Sequence, residues 1–360
     1  MPDEEKIEQP QESTEESLYR KASAKVDEAL PRFKGMSFTR EELYRELGIF
    51  NNPAHRLQRE AVSKVLYNIS DQNKERKKPA IKQIGRNNYR LVNYEVTPIL
   101  WQDAKLADLA HLNFPLDYDV SEHDDKRPLM WAQDVNICPK DIIVVAGESN
   151  MGKSTFCMNM AVENMNNIPV TLWISEGSEL KVARRMEGFR DRGLTHEDGS
   201  PKFEVLRLDK DPADCAALRP DSLNIFDWVN VIGDFWGISK IIENIEKNLN
   251  TGVAVVAIQK ADGQALGRGG GFSRDWASLY LTMSKLSNIY FKMEIVKCKD
   301  YNASNPNGKQ YRFNICDKGS HFSRMEEIVN CKVCHGTGVK NKVQCTVCSG
   351  EGYTVVGEDF

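Results

Sequence analysis

No apolar run in the 360 residues approaches the roughly 18 needed to cross a bilayer, which excludes a helical membrane protein. The N-terminus, MPDEEKIEQPQESTEES, lacks the apolar core of a signal peptide and reads as a disordered acidic lead over residues 1–16. A cytoplasmic chain with no membrane partner is the expectation. Strong positive charge is also missing: the net charge of −4 argues against a protein that coats nucleic acid indiscriminately, while leaving room for local basic surfaces. Nor do the cysteines form a disulfide framework. Cys138, Cys157, Cys215, Cys298 and Cys316 are scattered, and the other four fall together near the C-terminus, a distribution that suits a metal site in a reducing compartment. The rest of the composition is ordinary for a globular chain, 41% apolar and 28% charged, and the length predicts one large domain with smaller ones attached.

Helical periodicity runs from Leu18 to Leu30. A second helix is announced by SFTREELYRELG, where Thr39 and Glu42 have capping-box spacing, and a third by AHRLQREAVSKVLYNI, with Leu57, Val62, Val65 and Leu66 expected on one face. After the basic turn NKERKKP, the alternating segments around GRNN signal a hairpin. Three helices and a hairpin in residues 17–94 resemble a winged-helix domain, an expectation of duplex DNA binding through Arg56, Arg59 and Lys64 on the third helix and Lys82, Arg86 and Arg90 on the hairpin. A protein-interaction module is the alternative. Residues 95–140 read as a linker that docks on the next domain.

From 141 to 324 the segments alternate: strand DIIVVA, helix KSTFCMNMAVENM, strand PVTLWIS, helix ELKVARRMEGFR, strands FEVLRL and SLNIF, helix ISKIIENIEKNL, strand GVAVVAI, then YFKMEIVKCK and KQYRFNIC. The fold class is α/β, a mostly parallel sheet with helices on its faces. Between the first strand and helix lies GESNMGKST, Gly147, Glu148, Ser149, Asn150, Met151, Gly152, Lys153, Ser154 and Thr155, which satisfies the P-loop pattern in its required strand-to-helix context. Its backbone amides would cradle the phosphates of ATP, Lys153 would reach the β and γ oxygens, and Ser154 would ligate Mg2+. Asp227, closing SLNIF, is the expected second group at the metal. Glu176, after the neighbouring strand, is the expected base for the attacking water, with Glu179 the competing candidate.

The order of P-loop, Glu176, Asp227, Gln259 at a strand end, glycine-rich stretch and hairpin bearing KCK resembles the RecA-like ATPase domain of DnaB-type replicative helicases, over roughly residues 115–323. The resemblance implies a homo-oligomeric ring. It also implies that Gln259 links the γ-phosphate to DNA-binding loops, and that Lys297 and Lys299 reach a neighbouring subunit's nucleotide. Lysine at 299 departs from that family's arginine finger, whose planar fork clamps a transferring phosphoryl group. For single-stranded DNA, the stretch KADGQALGRGGGFSRDW offers Lys260, Arg268 and Arg274, the alternative being a flexible surface loop; GDFWG, residues 233–237, is a weaker candidate.

At the C-terminus CKVCHGTG and CTVCSGEG repeat C-x-x-C-x-G-x-G, so Cys331, Cys334, Cys345 and Cys348 are expected to hold Zn2+ in a module over 329–354. The repeat looks like half of the DnaJ cysteine-rich region; redox-active or free thiols are the alternative. The sequence therefore predicts an ATP hydrolase acting as a DNA-bound motor of the helicase type. A recombinase or loader that does not unwind, and a nucleotide-switched DNA-binding regulator, remain alternatives.

Overall fold

The computed structural model describes residues 14–94, 98, 102, 111–118, 126–230 and 237–357. The chain separates into two compact units, Met1–Trp101 and Gln102–Phe360. Most of the expected lead, and GDFWG apart from Gly237, lie outside the described residues.

The first unit contains α1 (Thr14–Ala29), β1 (Ser37–Thr39), α2 (Arg40–Glu46), α3 (Arg56–Ile69), β2 (Ile81–Gly85) and β3 (Asn88–Leu91). The capping box forms: the Thr39 side chain accepts from the Glu42 amide while the Glu42 carboxylate accepts from the Thr39 amide at 2.6 Å. The hairpin is joined by β1, giving a sheet of order β1-β3-β2. Its core is Val26, Phe38, Leu43, Val62, Val65, Leu66, Ile81 and Tyr89. Leu57 does not belong to it and is 61% exposed. At 100° per residue Leu57 lies about 140° from Val62, so the stripe that buries Val62, Val65, Leu66 and Ile69 leaves it in solvent.

The second unit is built on a 12-stranded sheet. Its strands are β4 (Leu116–Tyr118), β5 (Lys126–Pro128), β6 (Ile142–Gly147), β7 (Val170–Ile174), β8 (Glu204–Arg207), β9 (Leu223–Val229), β10 (Val253–Gln259), β11 (Leu279–Lys285), β12 (Phe291–Cys298), β13 (Gln310–Cys316), β14 (His321–Asn330) and β17 (Tyr353–Val355). The short β15 (Val339–Lys340) and β16 (Val343–Gln344) form a separate hairpin. Strands β11, β6, β10, β9, β7 and β8 are parallel neighbours in that order, and β12, β13 and β14 continue the sheet antiparallel. The helices are α4 (Lys153–Asn164), α5 (Glu179–Met186), α6 (Pro212–Leu218), α7 (Gly237–Asn248) and α8 (Gly271–Asp275).

Strand β6 is buried at every position because both faces of the sheet are covered. Ile143 and Val145 point into the core that contains α4, and Ile142, Val144 and Ala146 into the one that contains α7. Each expected strand of the alternating series forms. Strands β11 and β14 and helices α6 and α8 are additions. The stretch expected to dock as a linker contributes β4, β5 and the buried Phe114, Leu129 and Trp131.

Candidate nucleotide site and cysteine cluster

The loop between β6 and α4 has the backbone its glycines permit. Gly152 sits at φ +95°, and a Cβ there would also stand 3.0 Å from Ile315 Cδ1. The Lys153 ammonium folds back on the loop and donates to the carbonyls of Gly147 (2.8 Å) and Glu148 (2.7 Å). Ser154 lies in the first turn of α4, and its hydroxyl donates to Asp227 Oδ1 at 3.1 Å, while the Thr155 hydroxyl donates to the Gly319 carbonyl at 2.7 Å. Met151 packs against the core. Ser149 accepts a 3.0 Å hydrogen bond from Gln259 Nε2. Gln259 ends β10, and its backbone carbonyl accepts from the amide of Arg268 at 2.8 Å, so one residue ties the P-loop to the glycine-rich stretch.

Two adjoining depressions of about 270 and 430 Å3 share Ser154, Met158, Glu176, Arg185, Asp227 and Trp228. The larger also takes in Ser149, Asn150, Lys153, Gln259 and Lys318. Glu176 follows β7 and faces this space. Glu179 does not: it is exposed on α5, with its carboxylate 3.6 Å from Arg207. Arg185, which belongs to no motif, lines both depressions from the far end of α5. Its only sequence signal is its place on a basic helix that begins three residues after Glu176.

Burial sets the electrostatics. Asp227 is buried, which raises its carboxyl pKa against the hydrogen bond from Ser154 and the charges of Arg185 and Lys153. Burial likewise lowers the Lys153 ammonium, opposed by the charge of Asp227. Both groups are thus held in surroundings that disfavour their charged forms, and a cation beside Asp227 with an anion beside Lys153 would relieve both. An acceptor carboxylate and a hydroxyl 3.1 Å apart form a donor pair suited to a hard divalent cation.

The remaining expected DNA contacts divide. Arg268 and Arg274 are exposed. Lys260 is not: its side chain is 5% exposed, with the ammonium 3.3 Å from Glu148 and donating to the Gln264 carbonyl. Its place at the end of the central strand β10 turns it inward. The glycine-rich stretch also has local structure of its own. It contains α8, and the buried Tyr280 hydroxyl accepts from the Gly267 amide (3.0 Å) and pairs with the Ser273 hydroxyl (2.8 Å). Phe272 and Trp276 project from this segment, 42% and 37% exposed. The Lys297 ammonium donates to the carbonyls of Arg274 and Asp275, and burial followed by the charge of Lys299 lowers its pKa. Lys297 therefore closes the end of α8 within its own chain, whereas Lys299 is exposed. In the first unit, Arg56 pairs with Glu60 at 3.0 Å and Arg59 with Glu41 at 2.7 Å, the latter also lying 4.3 Å over the Tyr44 ring. Lys64, Lys82, Arg86 and Arg90 are exposed.

Cys331, Cys334, Cys345 and Cys348 are all buried, and their sulfurs lie within 4.8 Å of one another. Two of the separations are 3.9 Å (Cys331 to Cys345) and 3.6 Å (Cys334 to Cys348). A tetrahedron with Zn–S bonds of about 2.3 Å has S–S edges of about 3.8 Å, so the four thiols are placed to bind a metal ion and the spacing fits zinc. The amides of Gly338 and Gly352 point at the sulfurs of Cys334 (3.3 Å) and Cys348 (3.2 Å). A Cβ at Gly338 would stand 2.2 Å from the Gly350 carbonyl oxygen, and one at Gly352 2.5 Å from that of Gly336. The two knuckles interlock only without side chains there. The cluster is anchored to the large sheet, since β17 pairs with β14.

Compared with known proteins, the chain matches no family profile and no curated protein. No helix among the described residues is long and apolar enough to cross a membrane.

Proposed function

We propose that this chain is an ATP-driven motor on DNA with a RecA-like core of the DnaB helicase type, a winged-helix unit before it and a zinc module after it. The observation that carries the reading is the convergence of Lys153 and Ser154, Asp227, Glu176 and Gln259, from four separate stretches of chain, on one depression. In that arrangement Lys153 exchanges its loop carbonyls for the β and γ oxygens of ATP, and Ser154 and Asp227 would hold Mg2+, which when bound would supply positive charge beside the phosphoryl group. Glu176 takes a proton from the attacking water as its oxygen bonds to the γ-phosphorus and the bond to the ADP oxygen breaks. Gln259, bound at one end to the P-loop and at the other to Arg268, senses the γ-phosphate and reports it to α8. Arg268 and Arg274 supply phosphate contacts, and the exposed Phe272 and Trp276 supply ring faces on which bases of a single strand stack. Lys299 reaches the nucleotide of an adjacent subunit in a homo-oligomeric ring. The protein works in the cytoplasm.

The deciding experiment is steady-state ATP hydrolysis with and without single-stranded DNA, followed by strand displacement. Stimulated hydrolysis with unwinding is expected. Stimulation without unwinding would favour a loader or recombinase, and absence of turnover would favour a nucleotide-switched regulator.

A further inference from the structure

We propose that the N-terminal unit grips the backbone of duplex DNA with the β2–β3 hairpin and the loop before it, and not by inserting α3. This rests on the DNA-binding half of the proposed function and is independent of ATP turnover. Two of the three cations of α3 are internally neutralised, Arg56 by Glu60 and Arg59 by a two-pronged contact with Glu41 at 2.7 and 3.4 Å, and the third, Lys64, lies 5.9 Å over the Tyr19 ring. Those of the loop and hairpin are not so paired. Lys74, Lys77, Lys78, Lys82, Arg86 and Arg90 are exposed, and no ion pair involves them among the described residues. The acids in this stretch are few: Asp71, whose carboxylate accepts from the Gln83 amide at 2.9 Å, and Glu75.

The register sharpens the argument. Lys82 and Arg90 are direct cross-strand partners in the antiparallel pair, both exposed. Like charges set opposite each other weaken a hairpin, and a polyanion laid across them turns the repulsion into two attractions. The loop is held ready for the same ligand, because Arg76 donates to the carbonyls of Asn68 (3.2 Å) and Lys78 (3.2 Å) and so fastens it to the end of α3. Duplex is favoured over single strands because the hairpin offers no stacking platform. Tyr89 is buried, and Tyr94, further along, is engaged by Lys78 at 5.8 Å and donates to the Pro79 carbonyl. Contacts of this kind are to phosphate and carry no sequence information.

The test is fluorescence anisotropy of a labelled 20-base-pair duplex of arbitrary sequence with the full chain, over a salt series, without nucleotide. The variants are Lys82→Ala/Arg86→Ala/Arg90→Ala, Lys74→Ala/Lys77→Ala/Lys78→Ala, and Arg56→Ala/Arg59→Ala, each checked by thermal melting. Both the hairpin and loop variants are expected to lose at least tenfold in affinity. Each salt slope should become shallower by about 2.7 for three lost phosphate contacts. The α3 variant should bind within twofold of wild type, a second duplex sequence should bind equally, and Lys82→Arg should retain affinity. Wild-type binding by the hairpin variant, or an equal loss in the α3 variant, overturns the proposal. So does a single strand that competes as well as the duplex. ATP hydrolysis measured on the same preparations separates the two readings: duplex binding without turnover sinks the motor alone, and turnover without duplex binding sinks this proposal alone.

Discussion

The Ser154 hydroxyl donates to the Asp227 carboxylate at 3.1 Å, across 73 positions of sequence, and joins the first turn of α4 to the end of β9. That contact aligns the two side chains proposed to hold Mg2+, and together with the charges of Arg185 and Lys153 it opposes the burial that raises the Asp227 carboxyl pKa.

Replacing Asp227 separates stability from function. Its raised pKa means that the folded chain binds its proton more tightly than the unfolded chain. The associated stability is present at low pH and is lost as pH rises through the folded-state pKa. Asp227→Asn keeps an oxygen acceptor for Ser154 and removes the buried charge. It should raise Tm at neutral pH by about 2–4 °C and abolish Mg2+-dependent hydrolysis. Calorimetry at several pH values checks this, and the gain should shrink toward acid; a lower Tm would show that the charge is compensated in the free protein.

The base assignment is tested by pairing Glu176→Gln with Glu179→Gln. Glu176→Gln should bind ATP and stall, with hydrolysis reduced at least 100-fold, whereas Glu179→Gln, which loses only an exposed contact to Arg207, should hydrolyse normally. Lys153→Ala should eliminate turnover. Single-turnover hydrolysis reads all three, and the reverse ranking of the two glutamates would remove Glu176 from its role.

Coupling to DNA should pass through α8. Arg268→Ala/Arg274→Ala ought to leave basal hydrolysis close to wild type and abolish its stimulation by single strands, since the nucleotide residues are supplied by other elements. The salt slope of single-strand binding should become shallower by about 0.7 per contacted phosphate removed. Phe272→Ala/Trp276→Ala should weaken single-strand binding by about 1–3 kcal/mol per base unstacked. Unchanged stimulation in both variants would mean that the strand does not touch this segment.

Metal removal should act locally. Elemental analysis is expected to find one Zn2+ per chain, and a strong chelator or Cys334→Ser should open residues 331–352 to protease, because metal binding contributes on the order of 10–16 kcal/mol in small zinc modules. The large sheet has its own cores, so the main thermal transition should persist. A full complement of titratable free thiols in the purified protein, with no metal, would refute the site.

The sequence by itself determined the parts whose signals are local. The P-loop pattern can be read in contiguous residues because the backbone amides and the lysine proposed to hold phosphate all lie within it, and the four cysteines are legible because knuckle spacing and glycines are dictated by the geometry of closing a chain around a small ion. Alternating apolar segments announced the parallel strands for the same local reason. The tertiary structure alone decided which charges are available. Lys260 reads like Arg268 in sequence, yet the end of β10 turns it inward onto Glu148 and buries it, while Arg268 is exposed. Glu176 and Glu179 are three residues apart, and only the turn from β7 into α5 sends the first to the depression and the second to Arg207. Arg59 was a basic residue on a helix until Glu41, from another helix, neutralised it. Whether a charge meets solvent, a ligand or a partner depends on segments far away in the chain, and a pattern confined to neighbours carries no record of them.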